Sequence, residues 1–319
     1  MPKLLIVTPA RTKPRRLPVA AARSVAGEAS ATLRCALHYP LGLAERALTT
    51  GHPSGQTAHD TPVLLVHGYA HNQSGWWVLD RHLRAAGFTS VHRLNYLPLG
   101  TGVPALARRL ARRVEEVKRL TGAPRVHVVA HSLGGILLRW YVQELGGDRS
   151  VATAITLGSP HEGTVAAYLW PERTAVHLRP GSQVIDRLAA GARPSPVRWV
   201  AFYSDADLLI RPTSAARLRA PGLAATNIKV RGLGHLSLLL SPKVLRAVTA
   251  QLEAAEGVGA PLLPIRGGSR SLEGRPREQQ PLLSHIRETD GDLGLLALSG
   301  QLEDNAFSPF PMNDVVAHP

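Results

Sequence analysis

The chain has 319 residues, 44% hydrophobic and 19% charged, which is enough to bury the core of one large domain or two modest ones. Its single cysteine, Cys35, excludes an intramolecular disulfide and a cysteine-based zinc site, and its apolar runs fall far short of the roughly 20 residues that span a membrane. The net charge of +14 would suit a polyanion, yet only five of the 37 basic residues are lysines. We interpret the charge as compositional bias and expect no nucleic-acid partner, with transient contact to an anionic membrane surface as the alternative.

The N-terminal region, residues 1–57, is predicted to form a basic arm followed by a helix that covers the catalytic domain. The helix is predicted over 24–48, where leucines recur at helical spacing and Pro40 must kink or split the run. A membrane-surface helix is the alternative interpretation. Arg23 and Glu28 interrupt the apolar stretch that a secretory signal would need. We therefore expect a cytoplasmic protein, at most peripheral to a membrane, and leave secretion open.

Residues 58–256 alternate short β-branched runs with longer amphipathic stretches, which predicts one folded domain. The predicted strands are Val63–Val66, Val91–Leu94, Val126–Ala130, Ala152–Leu157, Arg198–Tyr203 and Asn227–Val230. The predicted helices are Trp76–Ala86, Pro104–Leu120, Leu133–Leu145, Gln183–Ala189 and Pro242–Ala255. This order predicts an α/β fold with a doubly wound, mostly parallel sheet of about six strands. Fewer than forty residues separate Pro160 from Arg198, so we expect little or no lid domain.

Residues 257–319 lack that alternation. They combine glycine, proline and glutamine with an acidic excess, which predicts a disordered C-terminal tail without a role in the chemistry.

The segment Ala130-His131-Ser132-Leu133-Gly134 has the pattern of a nucleophile elbow. A predicted strand ends before Ser132 and a predicted helix begins after it. The turn is so tight that the residues two before and two after the serine must be small, and here they are Ala130 and Gly134. The pattern therefore predicts that Ser132 is a nucleophile in a strained backbone conformation, with its hydroxyl pushed out of the sheet and next to a helix N-terminus that favours negative charge.

A serine hydroxyl needs a base, and the base needs an orienting acid, in the chain order serine, acid, histidine. Among 14 histidines, the candidate base is His235, which follows the last predicted strand. Gly232 and Gly234, on either side of Leu233, let this loop place the imidazole over the serine. Two carboxylates follow the preceding strand: Asp207 is the preferred acid, and Asp205 is the alternative. We expect His67 and His131 to have structural or positioning roles.

Two backbone N–H groups are candidates for an oxyanion hole. The first predicted strand ends in His67-Gly68-Tyr69, so the N–H of Tyr69 can act together with the N–H of Leu133. Gly68 and Gly134 allow the close approaches that such a site requires.

These motifs, together with Thr156-Leu-Gly-Ser-Pro160-His161-Glu-Gly163-Thr164, resemble in order those of the α/β-hydrolase superfamily. They are most similar to small bacterial triacylglycerol lipases and esterases, including actinobacterial members. The resemblance covers roughly residues 60–255. It implies a serine ester hydrolase with Ser132, Asp207 and His235 as its triad, without a cofactor or a catalytic metal.

The expected substrate is an acyl ester or lipid, cleaved by a monomeric enzyme through an acyl-enzyme intermediate on Ser132. Fold and triad alone do not distinguish ester hydrolysis from acyl transfer or thioester hydrolysis, so these remain alternatives. A third alternative is a non-catalytic binding protein on the same fold, which nothing in the sequence favours.

Overall fold

A six-stranded parallel sheet forms the centre of the molecule in the computed structural model, which describes residues 19–42, 59 and 61–257. The spatial order is β2-β1-β3-β4-β5-β6, and all five neighbouring pairs run parallel. The strands are β1 (Val63–Val66), β2 (Val91–Leu94), β3 (Val126–His131), β4 (Val151–Leu157), β5 (Arg198–Ser204) and β6 (Thr226–Val230). The predicted parallel sheet of about six strands is confirmed, and each predicted strand is present to within one residue at either end.

Eight α-helices connect and flank these strands within the described residues. They are α1 (Val19–His38), α2 (Trp77–Ala85), α3 (Val103–Thr121), α4 (Leu133–Glu144), α5 (Arg173–Val176), α6 (Gln183–Ala190), α7 (Ser237–Leu240) and α8 (Pro242–Ala255). Pro104 lies in the first turn of α3, and Gly122 ends that helix in the left-handed region with φ of 72°. Proline suits the first turn, where its missing N–H is not needed, and glycine adopts the left-handed conformation without strain.

The N-terminal helix differs from its prediction. It begins at Val19 rather than at residue 24, and it ends at His38, where a 3₁₀ turn over Tyr39–Gly42 takes up Pro40. The leucines that indicated the helix, Leu33, Leu37 and Leu41, are exposed, whereas Ala31 and Cys35 are buried. The face that packs on the domain is therefore made of small residues, and a leucine periodicity cannot reveal it.

Some of the predicted features lie wholly or partly outside the residues that the structure describes. Residues 1–18, 43–58 and 258–319 are outside, so the predicted basic arm and C-terminal tail remain predictions, as do the borders of the catalytic domain. Within the described ranges, no helix combines the length and apolarity that a membrane span requires.

The strands of the sheet end at a common edge, which positions the candidate site. Because the sheet is parallel, the residues after β1, β3, β4, β5 and β6 meet at its carboxyl edge. The central strands β1 and β3 are buried along their whole length and form a rigid support there. Between Pro160 and Arg198 only a 3₁₀ turn and the short helices α5 and α6 intervene.

Candidate active site

Ser132 connects β3 to α4 through a strained turn. Its φ of 53° and ψ of −122° lie in a region that residues with a side chain seldom adopt. Its backbone N–H donates to the carbonyl of Leu157 at the end of β4, at 3.0 Å. The strain lifts the hydroxyl away from the sheet and places the residue at the N-cap of α4, as the elbow pattern predicts.

Two glycines allow the chain to pack this tightly around Ser132. A Cβ on Gly134 would lie 2.6 Å from the carbonyl oxygen of Val66 and 2.7 Å from that of His67. A Cβ on Gly68 would lie 2.8 Å from the Cβ of Ser132. The turn after β1 and the elbow after β3 therefore touch each other, backbone against backbone, and no larger residue fits at either glycine.

Asp207 and His235 form a direct pair. Nδ1 of His235 lies 2.7 Å from Oδ2 of Asp207, and both side chains are buried. The other oxygen, Oδ1, accepts hydrogen bonds from the N–H groups of Leu209 and Ile210, each at 2.9 Å. The carboxylate is thus fixed by its own loop, so it can hold the imidazole in one orientation.

Asp205 lies apart from that pair. Its Oδ1 accepts the N–H of Gly232 at 2.9 Å, and its Oδ2 lies 3.6 Å from Nζ of Lys229. It therefore tethers the loop that carries His235 instead of contacting the imidazole. Of the two carboxylates considered from the sequence, only Asp207 has the geometry of an orienting acid.

Neither of the two N–H groups proposed for an oxyanion hole has an acceptor in the described part of the chain. Leu133 is the first residue of α4, so its N–H has no intrahelical partner. The N–H of Tyr69 belongs to the same peptide unit as the carbonyl of Gly68, which accepts Nδ1–H of His67 at 2.9 Å. Because C=O and N–H point in opposite directions across a trans peptide, His67 orients the Tyr69 N–H.

His67 is held in its neutral form by its surroundings. Its Nε2 accepts the N–H of Tyr96 at 3.2 Å, so the proton of the ring must lie on Nδ1. Burial lowers the pKa of His67 to about 4, which the hydrogen bond to Gly68 only partly offsets. The positioning role expected for His67 from the sequence therefore has a specific geometry, a neutral ring clamped between two backbone groups.

His131 links the elbow to the histidine loop. Its Nε2 lies 3.2 Å from the carbonyl oxygen of His235, and the two rings are 4.5 Å apart between centroids. Burial lowers the pKa of His131 well below its usual value, with a further decrease from the nearby His235. A neutral His131 can donate Nε2–H to that carbonyl, which ties the residue next to Ser132 to the backbone of His235.

Ser132 and His235 reach the same edge without a direct bond. The Ser132 hydroxyl makes no hydrogen bond to any residue the structure describes, and the two residues are connected through His131. Catalytic hydrogen bonds are often long or poorly aligned in unliganded sites and tighten when substrate binds. The structure brings Asp207 and His235 into contact, and His131, the residue before Ser132, contacts the backbone of His235.

An open groove of about 400 Å³ lies next to these residues. Its walls come from α1 and the adjoining turn, from the loop after Tyr69 and from the residue after His235: Thr32, Cys35, Ala36, Tyr39, Ala70, His71 and Leu236. Burial raises the pKa of the Cys35 thiol to about 11, so this group stays uncharged. The groove offers a mainly apolar surface for part of a ligand.

Sequence reasoning missed two residues of this site. Gly158, with φ of 54°, follows β4, and a Cβ there would lie 3.1 Å from Oδ2 of Asp207 and 3.4 Å from Nδ1 of His235. It leaves room for the acid–histidine pair, and its place in a quoted motif could have indicated it. Glu28 contacts the residues after His235, and no local signal indicated that.

No group of three or more histidine, cysteine, aspartate or glutamate side chains is arranged to hold a metal ion among the residues that could be searched. The residues at this edge have the chemistry of proton transfer and nucleophilic attack: a hydroxyl, an imidazole, a carboxylate and free amide donors.

Comparisons with known proteins concern the fold and part of the chain. Residues 61–176 match a family model described as the α/β-hydrolase fold. The triacylglycerol lipases of Pseudarthrobacter phenanthrenivorans and Burkholderia plantarii are each 31% identical to this chain over 110 residues, 32% of its length. The chain spans only about a third of these relatives, 34% and 30% of their lengths.

Solved structures resemble the chain over a larger share. Mature lipase BlEst2 of Bacillus licheniformis aligns with a TM-score of 0.54 at 18% identity, covering 63% of this chain and 94% of that one. Lipase B of Aspergillus fumigatus aligns with a TM-score of 0.53 at 17% identity, covering 67% and 61%. At these identities the likeness concerns the fold alone. The described domain has the α/β-hydrolase fold, and its residues 61–176 match that family.

Proposed function

We propose that this protein is a serine ester hydrolase, of lipase or carboxylesterase type, that cleaves acyl esters through an acyl-enzyme on Ser132. The 2.7 Å hydrogen bond between His235 and Asp207, beside the strained Ser132, carries this proposal. An imidazole oriented by a carboxylate near a serine that is held in a strained turn has little structural use, but it is what a serine nucleophile requires. The lipase names of the partial relatives support the same class of substrate.

In the proposed mechanism Ser132 attacks the ester carbonyl while Nε2 of His235 takes its proton. The negative oxygen of the tetrahedral intermediate is held by the N–H groups of Tyr69 and Leu133. The imidazolium, stabilised by Asp207, then protonates the leaving alcohol. Water repeats the sequence on the acyl-enzyme, which releases the acid and restores the serine.

The groove beside His235 suggests where the substrate lies. It borders both Leu236, which follows the base, and Ala70, which follows the first oxyanion donor. An apolar part of the ester, its acyl chain or its alcohol, can lie against α1 while the carbonyl faces Ser132. The site therefore suits esters with at least one apolar arm.

Labelling with a fluorophosphonate, together with turnover of p-nitrophenyl esters from short to long acyl chains, tests this function. We expect the wild-type protein to be labelled and to turn over esters, and Ser132→Ala to lose both while keeping its fold. A loss of at least about 10⁴-fold in kcat is expected, since removing a catalytic serine in such triads costs up to about 10⁶-fold.

Two results would contradict the proposal. A folded wild-type protein that is neither labelled nor active would support a binding protein, and labelling that persists in Ser132→Ala would place the nucleophile elsewhere. Thioester turnover that exceeds ester turnover on the same preparation would favour the thioesterase alternative.

A further inference from the structure

The loop that carries His235 is held in place almost residue by residue. Side chains at the end of β5 hold its beginning: Asp205 accepts the N–H of Gly232, and Ser204 donates to the carbonyl of Leu233 at 2.5 Å. His131 at the end of β3 holds the carbonyl of His235 itself. These supports come from β3, from β5 and from the residue directly after β5.

The residues immediately after His235 have a different support, which comes from α1. Oε1 of Glu28 accepts the N–H of Leu236 at 2.8 Å. Oε2 accepts the N–H of Ser237 at 3.0 Å and its hydroxyl at 2.7 Å. The carboxylate also lies directly against the backbone of Gly234, where a Cβ would be only 2.2 Å from Oε2.

The start of α7 shows why a carboxylate is needed there. This helix begins at Ser237, and its N-cap residue is Leu236, whose side chain cannot accept a hydrogen bond. The N–H groups of Leu236 and Ser237 would otherwise lack a partner. Glu28 supplies the acceptors from 208 residues away in the sequence.

The far end of α1 is fixed as well. Nδ2 of Asn72 donates to the carbonyl of Tyr39 at 2.8 Å, and Nδ2 of Asn95 donates to the carbonyl of Gly42 at 3.0 Å. The helix thus extends from the loop that follows the oxyanion turn to the loop that follows the histidine. The helix is therefore held near its C-terminal end by Asn72 and Asn95, and Glu28 contacts the histidine loop from a fixed position.

We propose that Glu28 is a positioning residue for His235: by capping α7 it fixes the backbone that follows the imidazole. This inference rests on the proposed ester hydrolysis. It assigns to α1, which precedes the hydrolase fold in the chain, a part in the chemistry. Without the carboxylate the first turn of α7 loosens, and the imidazole meets the Ser132 hydroxyl less often in the reactive geometry.

The expected consequence is a loss in kcat rather than an increase in KM, because Glu28 supports the base and does not line the groove. Misplacement of a catalytic group by about 1 Å can cost on the order of 100-fold. We expect Glu28→Ala to lose about 10- to 100-fold in kcat, with KM changed less than about threefold. Glu28→Gln, which keeps one acceptor and the volume, should lose less, and Ser237→Ala, which removes one of the three hydrogen bonds, least.

The experiment compares these three variants with Glu253→Gln, a glutamate of α8 whose side chain makes no hydrogen bond or ion pair in the described part of the chain. Total fluorophosphonate labelling gives the fraction of folded sites, and kcat is expressed per labelled site. The rate of labelling, which needs His235 but no acyl pocket, should fall in parallel with kcat. Thermal unfolding measures any change in stability separately.

A purely structural role would lower the melting temperature and leave kcat per labelled site within twofold of wild type, and this result would overturn the inference. If Glu28→Ala fails to fold, Glu28→Gln decides the question by the same criterion. Failure of the proposed function is seen independently, as a wild-type protein that is not labelled at all.

Discussion

The nucleophile side and the base side of the candidate site differ in how far along the sequence their supporting residues lie. On the nucleophile side, Ser132 is held by its own strand and helix and by the backbone of the adjacent turn, through Gly68 and Gly134. On the base side, His235 is held by side chains from three separate elements, among them Glu28 and Asp207. A turn built from small residues can be recognised in a short segment of sequence, whereas a loop held by distant side chains cannot.

The same difference predicts how the two sides respond to change. The nucleophile turn tolerates no larger residue at Gly68 or Gly134, and its supports are backbone groups that a substitution does not remove. The base side is also tight, at Gly158 and Gly234, but its side-chain anchors can be removed singly. Substitutions on the base side should therefore give graded effects, ordered by how directly the lost group touches the imidazole.

Asp207→Asn is expected to have the largest effect in that order, because Asp207 contacts the ring itself. An asparagine turns the imidazole toward the wrong tautomer, and comparable changes cost about 10⁴-fold in kcat. The measurement is ester turnover at saturating substrate, with circular dichroism to verify the fold.

Asp205→Asn is the matched control, because this carboxylate lies two residues earlier and contacts Gly232 and Lys229 instead of the ring. We expect it to keep kcat within about tenfold, since it removes a support and not a partner of the imidazole. A loss of the same size in both variants would argue against the assignment of Asp207, and a larger loss at Asp205 would reverse it.

The sheet and most helix borders could be predicted from the sequence, and candidates for the site could be named, because these features have local causes. β-branched runs indicate buried strands, Pro104 and Gly122 bound a helix, and the elbow is limited by the size of its neighbours. The choice between Asp205 and Asp207 remained open, since it depends on which carboxylate turns inward after β5. The role of Glu28 could not be predicted, because the residue that it caps lies more than 200 positions away.

On the nucleophile side, His67 should make the free energy of unfolding depend on pH. His67 has a folded-state pKa of about 4 against an ordinary value of 6.5, because it is buried as a neutral ring. Between these values the unfolded chain binds the proton and the folded chain does not, so stability is lost as pH falls from 6.5 towards 4. For His67 alone this amounts to about 2 kcal/mol between pH 7 and pH 5.

Urea unfolding of the wild type and of His67→Asn at both pH values measures this contribution. The variant has no group that titrates at this position, so its loss of stability between pH 7 and pH 5 should be smaller by about that amount. Buried histidines that do not interact with His67, such as His161, contribute equally to both proteins and cancel in the difference. An identical loss in the two proteins would mean that His67 is not held neutral.

The smallest effect is expected at the groove, which both sides of the site share. Ala36 is an exposed residue of α1 that lines the groove, and a tryptophan there would fill part of it. We expect Ala36→Trp to raise KM for a long-chain p-nitrophenyl ester about fivefold, roughly 1 kcal/mol, with kcat little changed. For a short-chain ester, which does not extend into the groove, KM should stay near that of the wild type.

Ala26→Trp provides the control, because it adds the same side chain to the exposed surface of α1 away from the groove. If both variants raise KM equally, the effect comes from the helix as a whole and the groove does not hold the acyl chain. If Ala36→Trp instead lowers kcat for short and long esters alike, α1 would act on the base and not on the substrate. At Glu28, by contrast, a substitution should lower kcat and leave KM nearly unchanged. The two sets of variants therefore separate the two roles that we propose for α1: its carboxylate supports the catalytic base, and its small residues leave room for the substrate.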